Sequence, residues 1–106
     1  MYKDVIFSEK GGELIARIGC DIDHHSAKSM REKIDDKLFE VRPNILTIDF
    51  SAVGFMDSSG LGLILGRVEK ASAIHVPVKL TGLSPTLMKL VRLAGIERVK
   101  NLTVTR

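Results

Sequence analysis

Aromatic residues are scarce in this chain. Its 106 residues include no tryptophan, one tyrosine and four phenylalanines, and these are dispersed. A platform for stacking nucleic-acid bases is therefore missing. One cysteine, Cys20, excludes an internal disulfide and fits a reducing compartment. No apolar run approaches the ~20 residues of a membrane helix. The opening stretch, MYKDVIFSEKGG, lacks the basic-then-apolar pattern of a signal peptide. These absences lead us to expect a cytoplasmic protein without a membrane partner. No charge sign dominates either. The net charge is +3, but Lys and Arg are scattered, and acids interleave with them between Lys28 and Lys37. With no basic stripe, direct nucleic-acid binding is not expected.

The remainder is ordinary for a globular chain: 44% hydrophobic and 27% charged residues. The length predicts a single domain over 1–106. Its organising stretch is Ile45 to Ala71. Ile45 to Phe50 is an apolar run broken only by Thr47 and Asp49, which reads as a buried strand. A short loop follows. From Leu61 the period changes, and Leu61, Ile64, Leu65 and Val68 recur at helical spacing. Asp57, Ser58 and Ser59 fall where that helix begins. The first turn of a helix carries backbone N–H groups without intrahelical partners. Asp57 or Ser58 is thus a natural N-cap. The site would lie past the carboxyl end of the strand, where open sheets with crossover helices hold their ligands. On composition alone, a plain cap cluster accounts for the same three residues.

The flanking chain supplies a scaffold. Tyr2–Glu9 and Glu13–Cys20 flank Lys10-Gly11-Gly12 and read as a β-hairpin. The loop Gly19–Ser26 leads to a helix from about Ser26 to Leu38, with Ala27, Met30, Ile34 and Leu38 as its apolar stripe. Its remaining residues read as a solvated face, with Arg31–Asp35 and Lys28–Glu32 spaced for i, i+4 pairing. Pro43 halts that helix. Ala73 to Leu80 is a second apolar run, with Pro77 near its start or an edge. Two parallel strands joined by the Ser58–Ala71 helix make a βαβ unit. Ser84 caps a last helix opened by Pro85, and Gly95 is placed to end it. Val99 to Val104 reads as a short final strand.

Several functions lack their motif. A serine near aspartate and histidine invites a hydrolase, yet Asp57-Ser58-Ser59-Gly60 is no Gly-x-Ser-x-Gly elbow. No phosphate-binding Gly-x-x-x-x-Gly-Lys-Ser/Thr loop appears. Asp23-His24-His25 invites a metal, but adjacent histidines do not share a helix face and no further ligand follows at spacing. Asp23 or Ser26 reads instead as a helix cap. Gly62 and Gly66, four apart on one side of the helix, mark close approach either of the sheet or of a partner.

Phe55-Met56-Asp57-Ser58-Ser59-Gly60-Leu61-Gly62, followed by Ile64-Leu65-Gly66-Arg67, closely resembles the core motif of the STAS family. It is most similar to the bacterial anti-sigma factor antagonists, and within them to the sporulation group. The resemblance implies an α/β STAS fold, a mixed sheet of four or five strands with helices mainly on one face. It thins after Gly95, where the chain is short of the terminal helix many members carry. It makes Ser58 the phosphoacceptor. Asp57, Ser59, Gly60 and Leu61 would form the surrounding surface, with Leu61 either core or contact. Gly19–Ala27 resembles the Gly-x-acidic-aliphatic-Asp-His-His segment of the same group, which assigns Asp23 and His24 to partner binding. The implied partner is an anti-sigma factor that is an ATP-dependent serine kinase. Binding would free a sigma factor for transcription in sporulation, phosphorylation of Ser58 would end it, and a serine phosphatase would reset it. The resemblance implies neither a cofactor nor enzymatic activity. The alternative is the same fold in a general stress-response antagonist or another STAS interaction module.

Overall fold

A computed structural model of the chain describes residues 4–105; Tyr2, assigned above to the first strand, lies outside them. The elements run β1 (Val5–Lys10), β2 (Glu13–Ile18), α1 (His24–Val41), β3 (Ile45–Asp49), α2 (Ser58–Ala73), β4 (Val78–Thr81), α3 (Pro85–Leu93), a 3-10 turn (Ile96–Arg98) and β5 (Leu102–Val104). The sheet has five strands in the order β1-β2-β3-β4-β5. β1 and β2 are antiparallel, and the other neighbouring pairs are parallel. Gly11 and Gly12, both at positive φ, form the two-residue turn of the hairpin.

Alternation along the strands decides where the core sits. Leu14, Ala16 and Ile18 of β2, Leu46 and Ile48 of β3, and Val78 and Leu80 of β4 share one face and are buried. Ala27, Met30, Ile34 and Leu38 of α1 join them in a single cluster, with Ile64 and Val68 of α2 and Leu87 and Val91 of α3. All sheet residues of that cluster lie on this face. The opposite face carries Ile6, Arg17, Thr47 and Lys79. There the Thr47 hydroxyl donates to Glu13, and Lys79 stands 3.5 Å from the same carboxylate. The five-stranded mixed sheet with its helices on one side agrees with the expected STAS fold.

α1 and β5 depart from their expected bounds of about Ser26–Leu38 and Val99–Val104, and two further details differ. The run Ala73–Leu80 is not all strand. Ala73 ends α2, the Val76 N–H closes back on the Ala71 carbonyl, and the strand begins at Val78, just after Pro77. The larger difference is the inward stripe of α2. Leu61 is half-buried and Leu65 exposed, while Leu63, Ile64, Arg67, Val68 and Ala71 face inward. Arg67 is only 2% exposed, with its Nε 2.6 Å from the Asp35 carboxylate of α1 and its Nη1 3.3 Å from the Leu63 carbonyl. The Nε–H does not point along the contact, so this is an ion pair rather than an aligned hydrogen bond. Burial pulls the Arg67 pKa down, against the counter-effect of Asp35. Asp35 thus turns inward to α2 and does not pair with Arg31. A buried charge needs its counter-ion, and that requirement outranks an exposed i, i+4 pair.

Candidate functional site

β2 and β3 are parallel neighbours, so the helices that follow them start side by side at one edge of the sheet. The two intervening loops are joined. Ile22 and Met56 form an isolated parallel bridge. The Ile22 N–H donates to the Phe55 carbonyl at 3.0 Å, and the Asp57 N–H donates to the Ile22 carbonyl at 3.1 Å. One carboxylate oxygen of Asp21 accepts from the Gly54 and Phe55 N–H groups, at 2.9 and 3.1 Å. Ile22 and Met56 are both buried. Asp23 and Asp57 therefore follow the two bridged residues directly and stand at the same edge.

Each aspartate caps its helix. Asp23 accepts from the His25 and Ser26 N–H groups at 2.9 and 2.8 Å. Ser26 answers, its hydroxyl oxygen accepting from the Asp23 N–H at 3.1 Å, which completes a capping box. The Ser26 and His25 amides hold the Asp23 carboxyl below its ordinary range. Asp57 accepts a single side-chain hydrogen bond, from the Ser59 N–H at 2.7 Å. Its own N–H is committed to the bridge. Gly60, at the position that would answer, has no side chain. It has no room for one, since a Cβ there would stand 2.6 Å from the Met56 sulfur.

Ser58 is the first helical residue after this cap. It is exposed, and among the described residues its hydroxyl makes no hydrogen bond. Ser59 is half-buried, and Leu61 is half-buried against the core, which favours packing for Leu61. His24 and His25 are exposed at the start of α1. The expected residues Asp23, His24, Asp57, Ser58, Ser59, Gly60 and Leu61 thus gather around one edge of the sheet. Cys20 is nearby, but burial, with help from Asp21 and Asp23, pushes its thiol pKa up, which disfavours the thiolate. Among the described residues no three His, Cys, Asp or Glu side chains are grouped to hold a metal ion. No helix among the described residues is long and apolar enough to cross a membrane.

Sequence reasoning missed Asp21. Its role is to tie the β3–α2 loop down so that the Asp57-Ser58 turn has one position. The available signal was Ile22, a lone aliphatic residue in a polar loop, which is buried only if the loop is pinned to the core.

An open mixed sheet, helices on one face and an exposed serine on a capped helix start define an α/β interaction domain of the kind expected from the Asp57-Ser58 motif. Residues 4–105 match the STAS domain model, and the chain belongs to that family. It is 31% identical over 83 residues, 78% of this chain and 71% of the relative, to the anti-sigma F factor antagonist of Lysinibacillus sphaericus. It is 30% identical over 83 residues, covering 77% of this chain and 71% of the relative, to the anti-sigma-B factor antagonist of Listeria monocytogenes. The fold superposes on the anti-sigma factor antagonist SpoIIAA in its unphosphorylated form with a TM-score of 0.72 at 25% identity, covering 96% of this chain and 87% of that one. The phosphorylated form of Bacillus SpoIIAA gives 0.71 at 26% identity, covering 96% and 91%.

Proposed function

We propose that this protein is an anti-sigma factor antagonist: it binds an anti-sigma factor, frees a sigma factor, and is switched off by phosphorylation of Ser58. The observation that carries the reading is the Ser58 hydroxyl, exposed and uncommitted on a fixed turn. The binding surface is the joined edge made by Asp23 and His24 with Asp57 to Leu61. The partner is an ATP-dependent serine kinase acting in the cytoplasm on transcription in sporulation, and a phosphatase reverses the modification. The protein itself contributes a surface and a phosphoacceptor rather than catalysis.

The switch is electrostatic. A phosphate adds about −1.5 to −2 charges at neutral pH. At a helix amino terminus that charge is tolerated by the dipole, although the Ser59 and Gly60 N–H groups are already bonded to Asp57. The fold is therefore expected to survive, and the loss to fall on the interface. There a dianion beside Asp57 brings like-charge repulsion and desolvation. A loss of about 3–4 kcal/mol corresponds to two to three decades in affinity.

The test is incubation with the anti-sigma factor and ATP, followed by mass spectrometric mapping. Label is expected on Ser58, with Ser58→Ala unlabelled but still binding. Ser58→Asp is expected to weaken binding about a hundredfold while leaving the circular dichroism spectrum unchanged. Label on Ser59, Ser26 or Ser84 would overturn the assignment. The Listeria relative supports a second reading, the same switch in a sigma-B pathway. Comparing affinities for an anti-sigma F and an anti-sigma-B factor separates the two.

A further inference from the structure

Between α1 and α2 lies an open cleft of about 460 Å³, lined by His24, His25, Lys28 and Arg31 on one side and by Ser59 and Gly62 on the other. Its ionisable lining residues are all basic. The i, i+4 pairing expected from the sequence would have neutralised two of them, but neither pair forms. Asp35 pairs with Arg67 of α2 instead, and among the described residues neither Lys28 nor Arg31 takes part in an ion pair. Gly62 adds a second, independent observation. A Cβ at this position would meet nothing within 4 Å, so the glycine does not serve the approach of α2 to its own sheet. Glycine inside a helix is nonetheless unfavourable compared with alanine. Gly66, one turn further on and outside the cleft lining, is equally open, so packing requires neither glycine; at Gly62 the consequence is bare backbone on the cleft wall.

We propose that the α1–α2 cleft is a docking site for an acidic segment of a protein partner. Lys28 and Arg31 would receive its carboxylates, and the bare backbone at Gly62 would admit its main chain closely. The chemistry follows from the lining: unpaired cations in a concave site attract an anionic chain and accelerate its association. This inference rests on the proposed function only for the identity of the partner, the anti-sigma factor.

Two arms test it separately. In the first, the labelled protein is titrated by NMR with an acidic helical peptide of Glu and Leu, and with the matching Lys and Leu peptide. Saturable shifts at Lys28, Arg31 and Gly62 with the acidic peptide alone, abolished by Lys28→Glu with Arg31→Glu, are expected. Shifts confined to other surfaces, or none, would overturn the docking site. In the second, binding of the anti-sigma factor is measured across salt concentrations. The double reversal should lower affinity at least tenfold and flatten the salt dependence. Gly62→Glu should weaken binding without lowering the melting temperature, a combination that a merely structural glycine would not give. If Ser58→Asp weakens binding and these variants do not, the cleft proposal fails while the antagonist reading stands. If the acidic peptide binds but the anti-sigma factor does not, the reading fails and the cleft remains.

Discussion

The amino termini of α1 and α2 are built alike and finished differently. Both follow parallel strands, both are capped by an aspartate, and both place serine within the first turn. At α1 the cap is closed: Asp23 accepts two amides and Ser26 returns a third hydrogen bond. At α2 it is left open. Asp57 accepts one amide, Gly60 cannot answer, and Ser58 has no bond to make. The Ile22–Met56 bridge explains the difference. It takes the Asp57 N–H that a capping box would use, and it seats Met56 where a side chain at residue 60 would have to go. The lesson is that order and availability are supplied by different residues. The bridge and Asp21 fix the turn, so the serine is free of structural duty.

The comparison breaks most severely if the two helices lose their mutual position. Arg67→Leu would leave Asp35 charged at a half-buried site, at about 2–3 kcal/mol by thermal denaturation, less than a fully buried pair because Asp35 still reaches water. Removing both charges, with Asp35→Leu added, should recover much of that loss. A double variant no better than the single would show that the ion pair is not the coupling. Next come the caps. Asp57→Ala is expected to cost about 1 kcal/mol, and Asp23→Ala to lower the melting temperature further, since it removes two accepted amides. Equal effects would erase the distinction between open and closed.

Acid sharpens the same contrast. The Asp23 carboxyl is held below the ordinary aspartate range by the Ser26 and His25 amides. A lowered folded pKa means its contribution is fully present above the unfolded value and is lost as pH falls through the folded one. The melting temperature of the wild type should therefore drop more steeply than that of Asp23→Ala as pH falls below the ordinary aspartate range. Parallel curves would sink the assignment. The serines give the smallest difference. Ser26→Ala breaks the returned hydrogen bond, for about 1 kcal/mol, whereas Ser58→Ala should change stability by no more than about 0.5 kcal/mol. A Ser58→Ala variant as unstable as Ser26→Ala would show that its hydroxyl carries structural weight after all.

Much of this was legible because local chemistry and global fold agree. Asp23, Asp57 and Ser84 with Pro85 are local start signals, and each caps a helix. Asp23 in fact starts α1 at His24, two residues before the expected Ser26. The hairpin turn at Gly11-Gly12 needed only the backbone freedom of glycine. What sequence could not give was the inward face of α2. Leu61, Leu63, Ile64 and Leu65 are all apolar, so the stripe could have pointed several ways. The residue that settles it is a charged one, Arg67, whose burial makes sense only once Asp35 is known to lie opposite. The weld of the two loops was hidden for a related reason: Asp21 and the amides of Gly54 and Phe55 are more than thirty positions apart. The gathering of the candidate residues at one edge follows from the parallel pairing of β2 and β3, which their apolar runs alone do not specify.

The uncovered face of the sheet gives this molecule a front and a back. Among the described residues the helices and both capped turns occupy the front, while the back carries strands, a Glu13–Thr47–Lys79 cluster and scattered aliphatic side chains. A neighbouring module could be fused or packed against that reverse side without obstructing the serine. A single small scaffold of this shape can therefore be carried as a component of larger assemblies and still present the same hydroxyl to a visitor.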